Sequence, residues 1–152
     1  MKRLTNVSLL KQFEIINRLE FFNEFTLAER QVLLESFSHL YLVHQSHYAF
    51  KRFELDNRLF IVLSGEFSIF KKSQLLELGR VGPGEFIGEG AFICNQEHST
   101  SAKALKDSIL LAITPEAMTR LPNVIREKMK DKIIAGMSTR ISSLSNYIED
   151  NI

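Results

Sequence analysis

Four of the seven glycines in this chain fall within nine residues, at Gly82, Gly84, Gly88 and Gly90, inside the stretch VGPGEFIGEGAFICNQEHSTSAKAL at 81–105. Glycine tolerates positive φ and lets another group approach the backbone closely, so such a turn followed by a short apolar run can aim several N–H groups at one anion. Glu85 and Glu89 are interleaved with the glycines. A helical continuation at 88–93 would add its dipole. The competing reading is a tight loop between two strands.

Other residues that can do chemistry are sparse. His44, His47 and His98 invite a metal site of cupin type, but i and i+3 on an extended strand point to opposite faces and no His-x-His pair occurs. No metal site is expected. Glu85 and Glu89 lack a companion nucleophile, so paired-carboxylate catalysis is not supported and Glu85 is assigned to a solvated turn. Cys94 is the single cysteine, which excludes an intrachain disulfide and is read as a buried structural thiol.

These residues need a scaffold, and the patterning describes one. Residues 9–22 carry Leu9, Leu10, Phe13, Ile16 and Leu19 at helical spacing, and Thr26 followed by Glu29 is a capping box opening a second helix through Leu33, Leu34 and Phe37. The chain is therefore expected to begin helical. From His39 the period shortens: HLYLVH, then YAFKRF with Tyr48, Phe50 and Phe53 as candidate buried positions, then LFIVLSGEFSIFKK, which reads as a hairpin turning at Ser64-Gly65. Further strands are expected at 75–81, 100–106 and 108–113. Seven or eight short strands at regular spacing predict a small β-barrel or roll. Thr114-Pro115 starts a short helix, Pro122 ends it, and a long helix runs over 123–150. In that helix Ile134, Met137, Ile141, Leu144 and Ile148 form a coiled-coil seam offset from an earlier stripe of Ile125, Met129 and Ile133. The expectation is a helix that changes partner midway, from the barrel to a second subunit. The run REKMKDK at 126–132 reads as a solvated helix face.

The 152 residues suit one domain with a full core, 45% apolar and 24% charged, and the formal net charge of +1 supplies no general attraction to nucleic acid or anionic membrane. Lys2 and Arg3 are followed by an apolar run broken at Asn6, Lys11, Gln12 and Glu14, so no signal peptide is expected. No stretch reaches the ~18 apolar residues that span a bilayer. The chain is expected to be cytoplasmic.

The order of elements, together with GPGEFIGEGAF and with ELDNRLFIVLSGEFSIF at 54–70, resembles the cyclic nucleotide-binding domain of the bacterial catabolite activator (cAMP receptor protein) family over about residues 19–150. The resemblance implies an α+β, mainly β fold: a β-roll of double-stranded β-helix or jelly-roll type at 39–113, N-terminal helices at 1–38, and a short helix and long dimerisation helix at 114–152, all one domain over 1–152. It implies a phosphate-binding cassette at 82–102. There Gly88, Gly90 and Ala91 match the backbone cradle, Glu89 matches the glutamate that takes the ribose 2′-hydroxyl, and Ser101 and Ala102 match the cassette's closing pair. That alignment puts Thr100 where the family carries its phosphate-pairing arginine. Threonine brings neither charge nor fork, and losing such a pair costs roughly 2–5 kcal/mol. His98 and Lys103 are the nearest cationic candidates, and Arg140 and Ser145 fall where the family's long helix approaches the ligand base.

The expected function is a ligand-sensing regulatory module, not an enzyme, that binds cAMP or cGMP, needs no resident cofactor and signals through its last helix as a homodimer to a protein partner. The alternative is a degenerate fold that no longer binds nucleotide and serves as an interaction adaptor. The family's transcription factors continue into a helix-turn-helix, and because the sequence ends at Ile152 no direct DNA binding is expected.

Overall fold

A computed structural model describes residues 1–37 and 39–151. Ser38, which closes the expected N-terminal helical segment, and Ile152 lie outside the described residues.

Leu59, Phe60, Ile61, Val62 and Leu63 form an unbroken apolar run, and the structure shows why no polar residue interrupts it. The strand they form, β4 (Leu59–Ser64), sits between two cores. Leu59, Ile61 and Leu63 face a helical core, whereas Phe60 and Val62 face the interior of the roll. β9 (Ser108–Ile113) repeats this, with Leu111 and Ile113 on the helical side and Leu110 and Ala112 on the roll side. A strand covered on both faces reads as a continuous apolar run, not an alternation.

Two antiparallel sheets result. With β1 (Lys2–Leu4), β2 (His39–Val43), β3 (Tyr48–Phe50), β5 (Phe67–Phe70), β6 (Glu77–Val81), β7 (Phe86–Ile87) and β8 (Ser101–Ala104), their orders are β1-β2-β9-β4-β7 and β3-β8-β5-β6. Phe50, Phe67, Val81, Ala102 and Ala104 of the second sheet pack on Phe60, Val62, Ile87 and Leu110 of the first. The mainly β roll flanked by helices is as expected, with nine strands among the described residues instead of seven or eight.

Three local expectations are corrected. The segment 59–70 is not a hairpin: β4 pairs with β7 and β9, while β5 pairs with β6 and β8. Ser64-Gly65 is a corner at which the chain changes sheets. Gly65 has φ +95°, and a Cβ there would stand 2.0 Å from Ser108 Oγ. That hydroxyl accepts from Glu66 N–H at 3.1 Å and donates to the Lys106 carbonyl at 2.7 Å, which locks the corner. The chain does not begin helical either: Lys2, Arg3 and Leu4 pair with Leu42, Tyr41 and Leu40. A three-residue edge strand carries too little period to be read. Phe53 is 62% exposed, because its φ of +75° turns the chain out of the strand.

The helices follow their signals. α1 (Leu9–Ile16) is capped by Ser8 and is followed by a 3-10 turn at Glu20–Phe22, and α2 (Leu27–Ser36) carries the complete Thr26–Glu29 capping box. α3 (Glu89–Cys94) is the short cassette helix, and α4 (Pro115–Thr119) is capped by Thr114. α5 (Asn123–Asp150) buries Ile125, Met129 and Ile133 in the helical core, while Ile134, Ile141, Leu144 and Ile148 are exposed and Met137 is partly buried. The run 126–132 is less solvated than its charge suggested: Lys128 pairs with Glu29 at 2.6 Å and Lys132 with Glu24 at 3.2 Å, tying α5 to the N-terminal helices. Cys94, expected to be buried, is exposed at the end of α3. It ends α3 within a run, 93–97, that faces solvent throughout.

Candidate functional site

The cassette begins where β7 hands over to α3. Gly88 caps α3 with φ +84°, and a Cβ there would lie 3.0 Å from the Arg58 carbonyl and 3.3 Å from the His98 ring, so any other residue would be strained there. Gly84 also has positive φ, and Glu85 accepts from Gly82 N–H at 2.9 Å, closing the preceding turn on itself. Glu89 is the first residue of α3; Gly90 faces open space; Ala91 is buried.

Glu89 meets the long helix. The Arg140 guanidinium forms an ion pair and hydrogen bond with the Glu89 carboxylate and lies over the Phe86 ring, 4.8 Å from its centroid. Gly136, one turn before Arg140, makes this approach feasible, since a Cβ there would stand 2.4 Å from Phe86 Cε1. Cassette and α5 are thus joined by a charge pair seated on an aromatic ring.

The back half of the cassette returns along the 51–58 segment. Phe53 N–H donates to the His98 carbonyl at 2.8 Å, His98 N–H to the Glu54 carbonyl at 2.9 Å, and Arg52 N–H to Ser101 Oγ at 2.9 Å. The His98 ring is 3% exposed and lies flat on Phe50, centroids 3.7 Å apart and 8° from parallel. Burial lowers its pKa from the usual imidazole value, and Asp56, Glu54 and Glu89 pull it part of the way back. A neutral, stacked imidazole is a poor stand-in for a cation. Thr100 is half-buried, and Lys103 lies on the outer face, reaching Gln74 at 3.3 Å and the Tyr48 ring. The fold joins Glu89 to Arg140, and Ser101 and His98 to the 51–58 segment, while Ser145 is exposed on the far part of α5.

Sequence reasoning missed two arginines on the 51–58 segment. Arg58 grips Asp56 through both Nε and Nη2 at 2.9 Å and donates to the Tyr41 hydroxyl at 2.8 Å. Burial opposes ionisation of Asp56, but the hydrogen bonds from Arg58 outweigh it and the net shift is downward. This pair closes the turn that the sequence showed only as ELDNR; the i, i+2 spacing of Asp56 and Arg58 was its one available signal. Clefts of about 500 and 380 Å³ flank the turn, neither lined by Glu89, Thr100 or Ser101. The guanidinium carbon of Arg52 lies 4.5 Å from the centroid of the exposed Phe53 ring.

A two-sheet antiparallel roll, a Gly-bounded short helix inserted between two of its strands, and a long helix paired to that insertion define the fold of the cyclic nucleotide-binding type. A model of the cyclic nucleotide-binding domain matches residues 43–123, and the chain belongs to that family. The structure is similar to a cyclic nucleotide-binding domain from Methylobacillus flagellatus at 19% identity, with TM-score 0.84 and 99% and 90% of the two chains covered. It is also similar to the Thermus thermophilus catabolite activator protein (25% identity, TM-score 0.71), covering 85% of this chain and 61% of that one. A third likeness is to the c-di-GMP-responsive global regulator CLP of Xanthomonas campestris (21%, TM-score 0.71, 82% and 63% covered). No functionally curated protein matches the sequence.

Proposed function

We propose that the chain is a regulatory module that binds a cyclic nucleotide of the cAMP or cGMP type and signals through α5. The observation that carries this reading is the Glu89–Arg140 pair. If Glu89 accepts a ribose hydroxyl, the incoming donor competes with Arg140 for one carboxylate, so occupancy of the roll is felt by the long helix. Ligand shifts the position of α5 only by its differential affinity for the two arrangements. The regulator so proposed is cytoplasmic, has a protein partner and carries out no catalytic step; among the described residues no helix is long and apolar enough to cross a membrane. Calorimetric titration with cAMP and cGMP tests the proposal, with heat expected for at least one of them. No heat for either at millimolar concentration sinks it, and heat with cyclic di-GMP alone changes the ligand class.

A second reading is favoured by the exposed apolar row on α5 and by Thr100 in place of an arginine: a fold that has lost nucleotide and acts as an interaction adaptor. It predicts silence in every titration together with a stable partner in pull-downs.

A further inference from the structure

The helices pack on the first sheet alone, since every strand residue of the helical core comes from β2, β4, β7 or β9. The outer face of the second sheet is left to solvent. Its register sets Tyr48, Lys103, Ser68 and Arg80 in one row, on the face opposite to Phe67, Ala102 and Ala104, which fill the roll. Glu66 and Glu77 both pair with Arg80, at 3.7 and 2.9 Å. Lys51 and Lys103 reach the Tyr48 ring, 5.0 and 5.7 Å from its centroid. Together with Lys71 and Lys72 at the end of β5, they have no carboxylate partner among the described residues. A chain with a net charge of only +1 thus gathers four uncompensated lysines around one face.

The tip that joins β5 to β6 adds a second chemistry. Lys71 and Lys72 open it, and a 3-10 turn at Gln74–Leu76, capped by Ser73, leaves Leu75 and Leu76 at 94% and 75% exposure. Leu78, the extra residue where the β5–β6 register shifts, is exposed as well. Gln74 accepts from Lys103 Nζ at 3.3 Å, so the tip is held against the lysines. Leucines this exposed contribute nothing to the core, and grouped at one tip they mark a contact surface. A protein groove has to match a convex tip in shape, and nucleic acid offers leucine no apolar partner. A bilayer interface takes up convex apolar groups without a preformed groove, while its anionic headgroups face the lysines.

We infer that the β5–β6 tip and the outer face of the second sheet form a peripheral docking surface for an anionic phospholipid bilayer. Leu75 and Leu76 enter the interface, and Lys51, Lys71, Lys72 and Lys103 face the headgroups. A few apolar side chains joined to a basic patch give reversible attachment, unlike a spanning helix. The helical core, on the other sheet, is left free.

The test sediments the full chain with vesicles of phosphatidylcholine alone and of phosphatidylcholine mixed with phosphatidylglycerol. Co-sedimentation is expected with the mixed vesicles only and should fall as salt is raised. Lys71→Gln/Lys72→Gln should lower the partition coefficient about fivefold for each lysine removed. Leu75→Ser/Leu76→Ser should lower it at least about tenfold and leave the thermal midpoint unchanged, because both side chains are already in water in the fold. The chain has no tryptophan, so Leu75→Trp supplies a single reporter whose emission should shift to the blue on mixed vesicles alone. No co-sedimentation with mixed vesicles overturns the inference, as does binding that the leucine variant leaves unchanged or a tryptophan emission that does not shift. Retention by an acidic polypeptide without any vesicle binding also overturns it and assigns the face to an acidic protein. No nucleotide is present in these measurements, so their outcome is separate from that of the calorimetric titration.

Discussion

His98 shows how one side chain couples burial to pH. In the unfolded chain it takes up a proton near the usual value of about 6.5, while in the fold burial against Phe50 holds its pKa lower. The unfolded state therefore binds more protons in that window. The stabilising contribution is complete above about pH 6.5 and declines as the pH falls from there towards the folded value, by at most about 1.4 kcal/mol per pH unit. Replacing His98 with Phe keeps the stack on Phe50 and should flatten that slope, as read by chemical denaturation across the window. His39 is shifted downward as well, by burial first and then by Arg3 and Arg58, so part of the slope will survive the substitution. Glu29, held low chiefly by its hydrogen bond from Lys128, titrates in the acid range and leaves the His98 window undisturbed.

At the scale of elements, α5 is fixed by where a glycine lets it lie. Alanine has the higher helix propensity by about 1 kcal/mol, so Gly136→Ala would stabilise an isolated helix. In the fold the added methyl meets the Phe86 ring at 2.4 Å, and Phe86 is the seat of Arg140. The variant is expected to lose about 1–3 kcal/mol in denaturation and to loosen the Glu89–Arg140 pair, seen as faster amide exchange in α3. Met129, fully buried on the first half of α5, gives the complementary measurement: Met129→Ala should cost about 2–5 kcal/mol. A loss far below that range would mean that α5 is not docked on the helical core. The corner at Gly65 belongs to this scale too, since it decides whether 59–70 folds back on one sheet or crosses to the other.

At the scale of the molecule, one sheet serves two cores, with the helices on one side and the second sheet on the other. The first half of α5 belongs to the helical core, and its second half carries Ile134, Ile141, Leu144 and Ile148 at 64%, 63%, 46% and 54% exposure. Apolar exposure repeated at seam spacing is the pattern of a helix–helix interface, and the homodimer expected from the sequence would use it. Ile141→Asp should convert dimers to monomers in sedimentation with little change in the denaturation midpoint of the monomer. A dimer that survives the change puts the interface elsewhere.

Much of this arrangement is written locally. Capping at Thr26, Thr114 and Pro115, the offset between the two stripes of α5, and the Gly-rich cassette entry depend on residues within a turn or two of each other, so spacing alone revealed them. Glu89 and Gly88 were legible for the same reason. Sequence patterning did not show that Ser64-Gly65 changes sheets, that residues 2–4 add an edge strand, or that Cys94 faces solvent, because each depends on what lies across a sheet or beyond a helix end. The Glu89–Arg140 pair is the clearest case. Nothing in the cassette sequence links Glu89 to a residue 51 positions later; the docking of α5 over Phe86, made possible by Gly136, brings the two together. Sequence by itself determined the family and the roll. Only the tertiary structure decided which part of the long helix the cassette meets, since that contact is a long-range packing interaction between elements far apart in the chain.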